Sequence, residues 1–158
     1  MVSPNTLQQA LLRLQNLCSR SEKCIADVRK KLVLWQINID ESDEIISILI
    51  ENKYIDENRY AEAFVNDKSK FAHWGNVKIK TALKAKNIPE AIISKALRNI
   101  DQTHYKNELE AMLFKKIKNI KADSLVQLKA KLIRFGLSRG FEYDLVYACV
   151  SELLNNND

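Results

Sequence analysis

The sequence has few of the residues that end helices and form turns, with three glycines and two prolines in 158 residues. Both counts are far below average usage, so helices joined by short loops are favoured over strands and tight turns. The glycines, Gly75, Gly136 and Gly140, also have the wrong spacing for a phosphate-cradling loop. The sequence therefore predicts an all-α fold without a common glycine-rich nucleotide site.

Long apolar runs are also missing. The longest, such as residues 45–50, is too short to cross a bilayer. The first residues, MVSPNTLQQALLRLQ, lack the basic start and apolar core of an export signal. The three cysteines, Cys18, Cys24 and Cys149, form no CxxC pair and are expected to be reduced thiols packed in helices. We therefore expect a cytoplasmic protein without a membrane span.

Catalytic and metal-binding patterns are absent from the sequence. There is no Ser/His/Asp set, no activated cysteine and no evident pair of catalytic carboxylates. His104 is expected to stand alone, without a carboxylate or cysteine to complete a ligand set. Cys18 and Cys24 lack metal-binding partners at standard spacing. The chain is predicted to be no enzyme and to need no cofactor or metal.

What the sequence does contain is helical periodicity almost throughout. Hydrophobic residues make up 46% of the chain, which is enough for a packed core. They recur at spacings of three and four, as on one face of a helix, and Trp35 ends one such face as a predicted core residue. The stripes include Leu7, Leu11 and Leu14; Val28 and Leu32; Tyr60 and Phe64; Ile79, Ala82 and Leu83; Leu125, Leu128 and Leu132.

A repeat runs through these helices. The apolar residues Ile37, Ile88 and Phe141 each follow the end of a predicted helix and precede a helix that opens with paired apolar residues. We interpret this as a tandem repeat of two long helices and a short third one, each unit burying an open face on its neighbour. The residues directly before them are Gln36, Asn87 and Gly140. Glycine and asparagine readily adopt the left-handed conformation that often ends a helix, whereas glutamine does so poorly, so the first of these helices is predicted to end differently.

The repeat gives predicted boundaries for one continuous repeat domain. They are 1–53, 54–100 and 101–158, each holding three helices. Equivalent helices of stacked repeats are expected to lie on the same side.

Helix starts can be assigned from capping residues. Asp56, Ser42, Asp101 and Asp123 each precede helical patterns and are predicted N-caps, because their side chains can accept hydrogen bonds from free amides. Pro89 is expected in a first turn, where its missing N–H costs nothing.

Charge is strongly segregated along the chain, although the net charge is only +5. Residues 40–67 carry nine acidic and two basic groups, while residues 68–98 carry eight basic and one acidic. Much of the acidic block lies at helix starts, where the helix dipole favours it. The basic block has less local explanation, so it indicates either a solvated face or an anionic partner.

Three basic strips and one aromatic residue are the candidate contact residues. Lys80 and Lys84 lie four apart and project away from the apolar face of their helix, so their mutual repulsion would be relieved by a polyanion or an acidic groove. Trp74 lies at the break before that helix and can plug a seam between helices or anchor a contact. The candidates are Arg29, Lys30 and Lys31; Lys78, Lys80 and Lys84; Lys131, Arg134 and Arg139, with Lys129 beside them; and Trp74.

Four segments together resemble the RecX family of regulators of the RecA recombinase. They are CSRSEKCIADVRKKLVLW (18–35), YIDENRYAEAFV (54–65), WGNVKIKTALKAKNI (74–88) and LSRGFEYDLV (137–146), and they occur in the family's order. The second and third are the most specific. Asn87 and Gln36 stand where the family often has glycine, which leaves the fold unchanged.

The resemblance implies three tandem three-helix repeats that form an elongated, curved right-handed or superhelical array. The protein is expected to be monomeric and to bind the groove of the RecA–DNA filament. It also implies that binding blocks filament growth and favours disassembly, and that single- or double-stranded DNA is a possible direct ligand. Two alternatives stay open from the residues themselves. One is a helical module that binds DNA directly without recombinase specificity, and the other is a small scaffold for a different acidic protein.

Overall fold

The computed structural model describes residues 6–156, and this part of the chain is all-helical, as predicted. The predicted lack of an export signal rests partly on residues 1–5, which lie outside the described residues. Within residues 6–156 nine helices follow one another without a strand. They are α1 (Leu7–Arg20), α2 (Ile25–Leu34), α3 (Ile39–Glu51), α4 (Glu57–Lys70), α5 (Asn76–Ala85), α6 (Glu90–Leu97), α7 (Gln102–Ile117), α8 (Leu125–Ser138) and α9 (Tyr143–Asn155).

The helices pack into two compact units. The first holds the residues up to Phe64 together with Leu83–Ile93, and the second holds Val65–Ala82 together with the residues from Ser94 onward. Helices α4, α5 and α6 therefore contribute residues to both units. In the part of the chain that the structure describes, no helix is long and apolar enough to cross a membrane.

The core of the first unit is built from the apolar stripes of α1, α2 and α3. Trp35 is 7% exposed and packs in this core, which confirms its predicted role. Burial of these side chains is the main stabilising contribution of the unit. The core residues include Ala10, Leu14, Val28, Leu32, Ile37, Ile45, Ile46, Leu49 and Ile55.

The core of the second unit is formed by α7, α8 and α9. Leu109, Leu113 and Leu132 are completely buried, as their helical spacing requires. Phe141 packs into the same cluster, and its ring lies 5.0 Å from that of Tyr105. The cluster is completed by Val146, Cys149, Val150 and Leu154.

The repeat is most evident in the endings of α2, α5 and α8. At each ending a residue with positive φ is followed by a buried apolar residue. The amide of that apolar residue donates to the carbonyl five residues earlier, and the preceding amide to the carbonyl three residues earlier, which is the Schellman motif. The positive-φ residues are Gln36 (60°), Asn87 (60°) and Gly140 (93°), and the apolar residues are Ile37, Ile88 and Phe141.

The prediction that Gln36 would end its helix differently is therefore wrong. Gln36 adopts the same left-handed conformation as Asn87 and Gly140. The buried position of Ile37 requires the chain to turn at this point, and this packing outweighs the intrinsic preference of glutamine.

Two of the predicted N-caps are confirmed. The Asp56 carboxylate accepts from the amides of Asn58 and Arg59 at 2.9 and 3.2 Å. The Asp101 carboxylate accepts from the amides of Thr103 and His104 at 2.9 and 3.1 Å. Each therefore satisfies two of the amides that a helix start leaves free.

Two predicted helix starts are shifted. The Asn38 side chain caps α3 by accepting from the Glu41 amide at 2.8 Å, so Ser42 lies inside the helix and is buried. The Ser124 hydroxyl, rather than Asp123, caps α8 by accepting from the Gln127 amide at 3.1 Å. In each case a nearby residue with equal capping ability takes the position.

Pro89 lies one residue before α6 instead of in its first turn. Its carbonyl accepts from the amides of Ile92 and Ile93 at 3.0 and 3.1 Å, so it still helps to start the helix. The third helix of each repeat was predicted to be short. Of the three helices at these positions, α6 is short with 8 residues, whereas α3 and α9 have 13 residues each. The boundaries 1–53, 54–100 and 101–158 stay a prediction.

Candidate partner-binding surfaces

The basic strip of α2 divides into one paired and two unpaired side chains. The Arg29 guanidinium lies 2.9 Å from the Asp43 carboxylate of α3, so its charge is matched locally. Lys30 is exposed, Lys31 is half-buried, and neither has a carboxylate partner among the described residues. The two lysines are therefore the unneutralised part of this strip.

Lys30 and Lys31 line a cleft of about 390 Å³ in the first unit. Lys23 and Lys86 line the same cleft, although neither was a candidate from the sequence. The basic block of residues 68–98 contains Lys86, but only the fold brings it to α2. The structure thus brings together four lysines from separate segments of the first unit.

Asp27 is the acidic residue of this cleft, and it is paired with Lys86. The Lys86 Nζ lies 2.5 Å from the Asp27 Oδ1, and the Cys24 amide donates to Oδ2 at 3.5 Å. Burial raises the pKa of Asp27, but the hydrogen bonds from Lys86 and Cys24 lower it by more, so the net shift is downward. The same bond raises the pKa of Lys86.

Helix α5 has the predicted two-sided character. Ile79 and Leu83 are completely buried, and Lys84 is exposed on the outside. The Lys84 Nζ lies 3.4 Å from the Glu90 carboxylate, and both side chains are more than half exposed, so the pair contributes little to stability. Lys80 is half-buried on the same helix.

Trp74 is half-buried at the start of α5, and two ammonium groups lie over its ring. The Nζ atoms of Lys68 and Lys78 are 4.9 and 4.6 Å from the ring centroid, a cation–π geometry. Neighbouring Phe71 is 77% exposed. Basic and aromatic side chains are therefore close together at the start of α5.

A close approach of two glycines in the second unit fixes the loop that carries Trp74. The Gly75 amide donates to the Arg139 carbonyl at 2.7 Å, and the Val77 amide donates to the Gly140 carbonyl at 2.9 Å. A Cβ on Gly75 would collide with the Gly140 backbone, and a Cβ on Gly140 would collide with Lys78. Glycine at both positions is therefore required for this contact.

Arg139 takes part in this contact through its side chain as well. One guanidinium nitrogen donates to the Ala72 carbonyl at 2.5 Å, and the side chain is half-buried. Its Nε is buried without a hydrogen-bond partner. Arg139 thus holds the Trp74 loop, and its role in binding a partner stays a prediction.

The remaining basic residues of α8 differ in their surroundings. The Lys131 Nζ donates to the Lys121 carbonyl at 2.5 Å, whereas Arg134 is exposed. The Lys129 Nζ lies 4.3 Å from the centroid of Tyr147 and 3.3 Å from its hydroxyl. Tyr147 stacks on Tyr143 with ring centroids 6.1 Å apart. A role of these residues in binding a partner stays a prediction.

His104 does not stand alone, contrary to the expectation from the sequence. Its Nε2 lies 3.4 Å from the Glu108 carboxylate, and His73 Nδ1 lies 3.8 Å from the same oxygen. The i, i+4 spacing of His104 and Glu108 on α7 could have revealed the first contact. Among residues 6–156 no group of three potential ligands is arranged to hold a metal ion.

The cysteines are free thiols. Cys24 and Cys149 are buried, and Cys18 is half-buried. Burial raises the pKa of all three thiols, which disfavours the reactive thiolate. The geometry supports packing roles for them.

Tyr105 forms a buried polar contact that the sequence analysis missed. Its hydroxyl donates to the Glu142 carboxylate at 2.7 Å and accepts from the Asn76 amide at 2.9 Å. Burial raises the pKa of Tyr105. The hydroxyl thereby satisfies an amide at the start of α5, close to Trp74.

Two protein-family models match the chain. The model described as the second three-helix domain of RecX matches residues 56–97, and that of the third three-helix domain matches residues 107–150. The first match spans α4 to α6, and the second spans α8 and most of α7 and α9.

Curated relatives with the same description are similar over most of the chain. "Regulatory protein RecX" of Clostridium botulinum (strain Eklund 17B / Type B) is 32% identical over 138 residues, which are 86% of this chain and 64% of that protein. The protein of the same name from Clostridium perfringens (strain 13 / Type A) is 33% identical over 140 residues, or 87% and 65%. The chain thus spans less than two thirds of the length of these relatives.

Solved structures show the same fold. The crystal structure of RecX from Lactobacillus salivarius has a TM-score of 0.82 and 25% identity, and the match covers 93% of this chain and 96% of that one. A crystal structure of regulatory protein RecX has a TM-score of 0.84 at 20% identity, covering 92% and 73%. The second similarity concerns the fold alone.

Proposed function

Since the chain belongs to the RecX family, we propose that it is a negative regulator of the RecA recombinase. It binds the groove of the RecA–DNA filament, blocks the addition of new protomers and promotes disassembly. Strand exchange, ATP hydrolysis and the co-protease activity of the filament fall as a result. The protein acts in the cytoplasm as a monomer, in DNA repair, recombination and the SOS response.

The observation that supports this proposal best is the exposed positive charge on α2, α5 and α8, of which α5 and α8 lie within the family matches. Lys84 on α5 and Arg134 on α8 are exposed, and Lys30 on α2 is exposed without a carboxylate partner among the described residues. Such side chains lose little when they meet an acidic groove, because Lys30 has no carboxylate partner among the described residues and the exposed pair of Lys84 with Glu90 is weak. They also steer association with an anionic filament.

The mechanism requires binding and no chemistry of the regulator's own. Buried apolar residues such as Ile79 and Leu83 hold α5 rigid while its lysines project outward. A rigid element loses little entropy on binding and can bridge neighbouring protomers of a filament. The nucleotide belongs to the recombinase, so we propose no cofactor or catalytic residue for this chain.

The alternative is a helical module that binds DNA directly without recombinase specificity. The cluster of Trp74, Lys68 and Lys78 favours it, because aromatic and basic side chains together bind single-stranded nucleic acid. However, two ammonium groups already lie over the Trp74 ring, so a base would have to displace them to stack. The recombinase partner is therefore the better-supported proposal.

Filament binding measured against bare DNA separates the two. A fluorescently labelled chain would be titrated with single-stranded DNA alone and with the same DNA coated by the cognate RecA and a non-hydrolysable ATP analogue. We expect binding to the filament to be at least about tenfold tighter at physiological salt. Equal affinity for both, falling about 10³-fold or more between roughly 50 and 200 mM salt, would support the DNA module instead.

A further inference from the structure

The lysine cleft of the first unit has an aliphatic floor. Leu14 and Val28 are buried beneath it, and Leu17 is half-buried at its side. Leu34 also lines the cleft, yet it is 77% exposed. An exposed leucine beside an open cleft leaves apolar area in water that a suitable ligand would cover. The volume of about 390 Å³ falls in the range of about 300–1,000 Å³ typical of ligand sites.

The rim of the cleft carries an excess of positive charge. Lys23, Lys30 and Lys31 have no carboxylate partner among the described residues, while Lys86 is paired with Asp27. Lys23 and Lys31 are half-buried, so their charges are less screened than those of fully exposed lysines. Their mutual repulsion is a cost that an anionic ligand would relieve.

We propose that this cleft binds an acidic peptide segment carrying one large apolar side chain. The apolar side chain enters between Leu14, Val28 and Leu34, and flanking carboxylates meet the ammonium groups of Lys23, Lys30 and Lys31. The floor and the rim of the cleft recognise different parts of the peptide. Burial of an apolar side chain against the floor is favourable, and negative charge is favourable at the rim. The partner is therefore a protein with an exposed acidic and apolar segment.

A nucleic acid fits the cleft less well. Bases gain their binding energy by stacking on aromatic rings, and no aromatic residue lines this cleft. Phosphates could contact the lysines, but the exposed Leu34 side chain would then stay uncovered. The peptide uses both parts of the surface, and competition with an oligonucleotide distinguishes the two ligands.

The inference goes beyond the proposed function, because it concerns the first unit alone and can be tested without a recombinase. The probe is a short fluorescein-labelled peptide with glutamates on both sides of a single leucine, measured by fluorescence anisotropy with the full chain. Two further peptides replace the leucine by serine or the glutamates by lysine. We expect each replacement to weaken binding about tenfold or more.

Variants of the chain test the two parts of the cleft separately. Lys30→Glu with Lys31→Glu and Leu34→Asp should each weaken binding about tenfold or more. The control for the leucine is Val33→Asp, since Val33 is 71% exposed on the same helix and does not line the cleft. Lys115→Glu with Lys121→Glu is the charge-matched control. Both controls should bind within about twofold of the wild type, and circular dichroism should show unchanged helix content in all variants.

Several outcomes would overturn the inference. The absence of binding would exclude a peptide site, and equal binding of the serine peptide would show that the apolar floor plays no part. A Leu34→Asp variant that binds like Val33→Asp would place the peptide elsewhere. If an oligothymidylate displaces the peptide at equal charge and equal concentration, the cleft is a nucleic-acid site. A preserved RecA inhibition in the same variants would leave the proposed function standing.

Discussion

The Nζ of Lys86 lies 2.5 Å from the Oδ1 of Asp27, and this ion pair joins two segments that are 59 residues apart. The Asp27 side chain is 23% exposed, and that of Lys86 is 42% exposed. Solvent therefore screens the pair in part, and its contribution to the free energy of unfolding lies between that of a surface pair and that of a buried one.

Replacing Asp27 by asparagine should lower the free energy of unfolding by about 1 kcal/mol at neutral pH. The folded-state pKa of Asp27 is lowered, so its contribution is present above the ordinary pKa of 3.8 and is lost as the pH falls through the lowered value. Urea unfolding at pH 7 and at about pH 3 measures both. The difference between wild type and variant should shrink in acid.

Asp43→Asn is the matched control for this prediction. Asp43 pairs with Arg29 at 2.9 Å, but both side chains are largely exposed, so the change should cost less than about 0.5 kcal/mol. Equal losses in the free energy of unfolding would show that the Asp27–Lys86 pair contributes no more to stability than an exposed pair.

Gly140→Ala should destabilise the protein by about 2 kcal/mol or more. Gly140 has a φ of 93°, and a Cβ there would collide with the Cβ and backbone of Lys78. The start of α5 would have to move, and the loop that carries Trp74 would move with it. Thermal unfolding gives the stability, and the fluorescence of Trp74 reports the loop in a Trp35→Phe background.

Gln36→Gly is the contrasting change at an equivalent helix end. Gln36 has a φ of 60°, a conformation that glycine adopts without strain. The substitution should therefore be neutral or stabilise by up to about 1 kcal/mol. A large loss of stability would contradict the Schellman ending assigned to α2.

Tyr105→Phe should lower the free energy of unfolding by about 1–3 kcal/mol. The change removes the hydroxyl that donates to Glu142 and accepts from the Asn76 amide, and it leaves both groups partly buried without this partner. Chemical denaturation measures the loss. Tyr143→Phe is the control, because Tyr143 is 55% exposed and should tolerate the change within about 0.5 kcal/mol. Similar losses of stability in both variants would contradict a stabilising role of the Tyr105 hydroxyl.

The fold could be predicted largely from local patterns. The spacing of Ile79 and Leu83 predicted a buried helix face, and Ile37, Ile88 and Phe141 indicated the repeat. Both predictions were possible because helical periodicity and helix endings depend on residues that are close in the sequence. The N-cap residues of α3 and α8, predicted as Ser42 and Asp123, were harder to identify, since several nearby residues can cap a helix equally well.

Contacts between distant segments could not be predicted in this way. Lys86 pairs with Asp27 and Tyr105 with Glu142 across 59 and 37 residues. These pairs form because tertiary packing brings the two segments together, and the spacing of neighbouring residues carries no information about that packing. The lysine cleft was missed for the same reason, although Lys30 and Lys31 were recognised as candidates.

Lys80→Glu with Lys84→Glu should leave the helical fold intact while removing inhibition of the recombinase. Both lysines lie on α5 away from buried Ile79 and Leu83, so the cost to stability should stay within about 1 kcal/mol. Helix content by circular dichroism checks the fold, and inhibition of strand exchange checks the function. Lys115→Glu with Lys121→Glu serves as the charge-matched control and should inhibit like the wild type. Full inhibition by the α5 variant would show that this helix is not the contact.

The most direct test of the central claim is ATP hydrolysis by the cognate RecA on single-stranded DNA, with this protein titrated in at physiological salt. We predict that hydrolysis falls as the protein is added, at concentrations where binding to bare DNA is negligible. Unchanged hydrolysis, with both preformed and growing filaments, would contradict the proposed regulation of the recombinase.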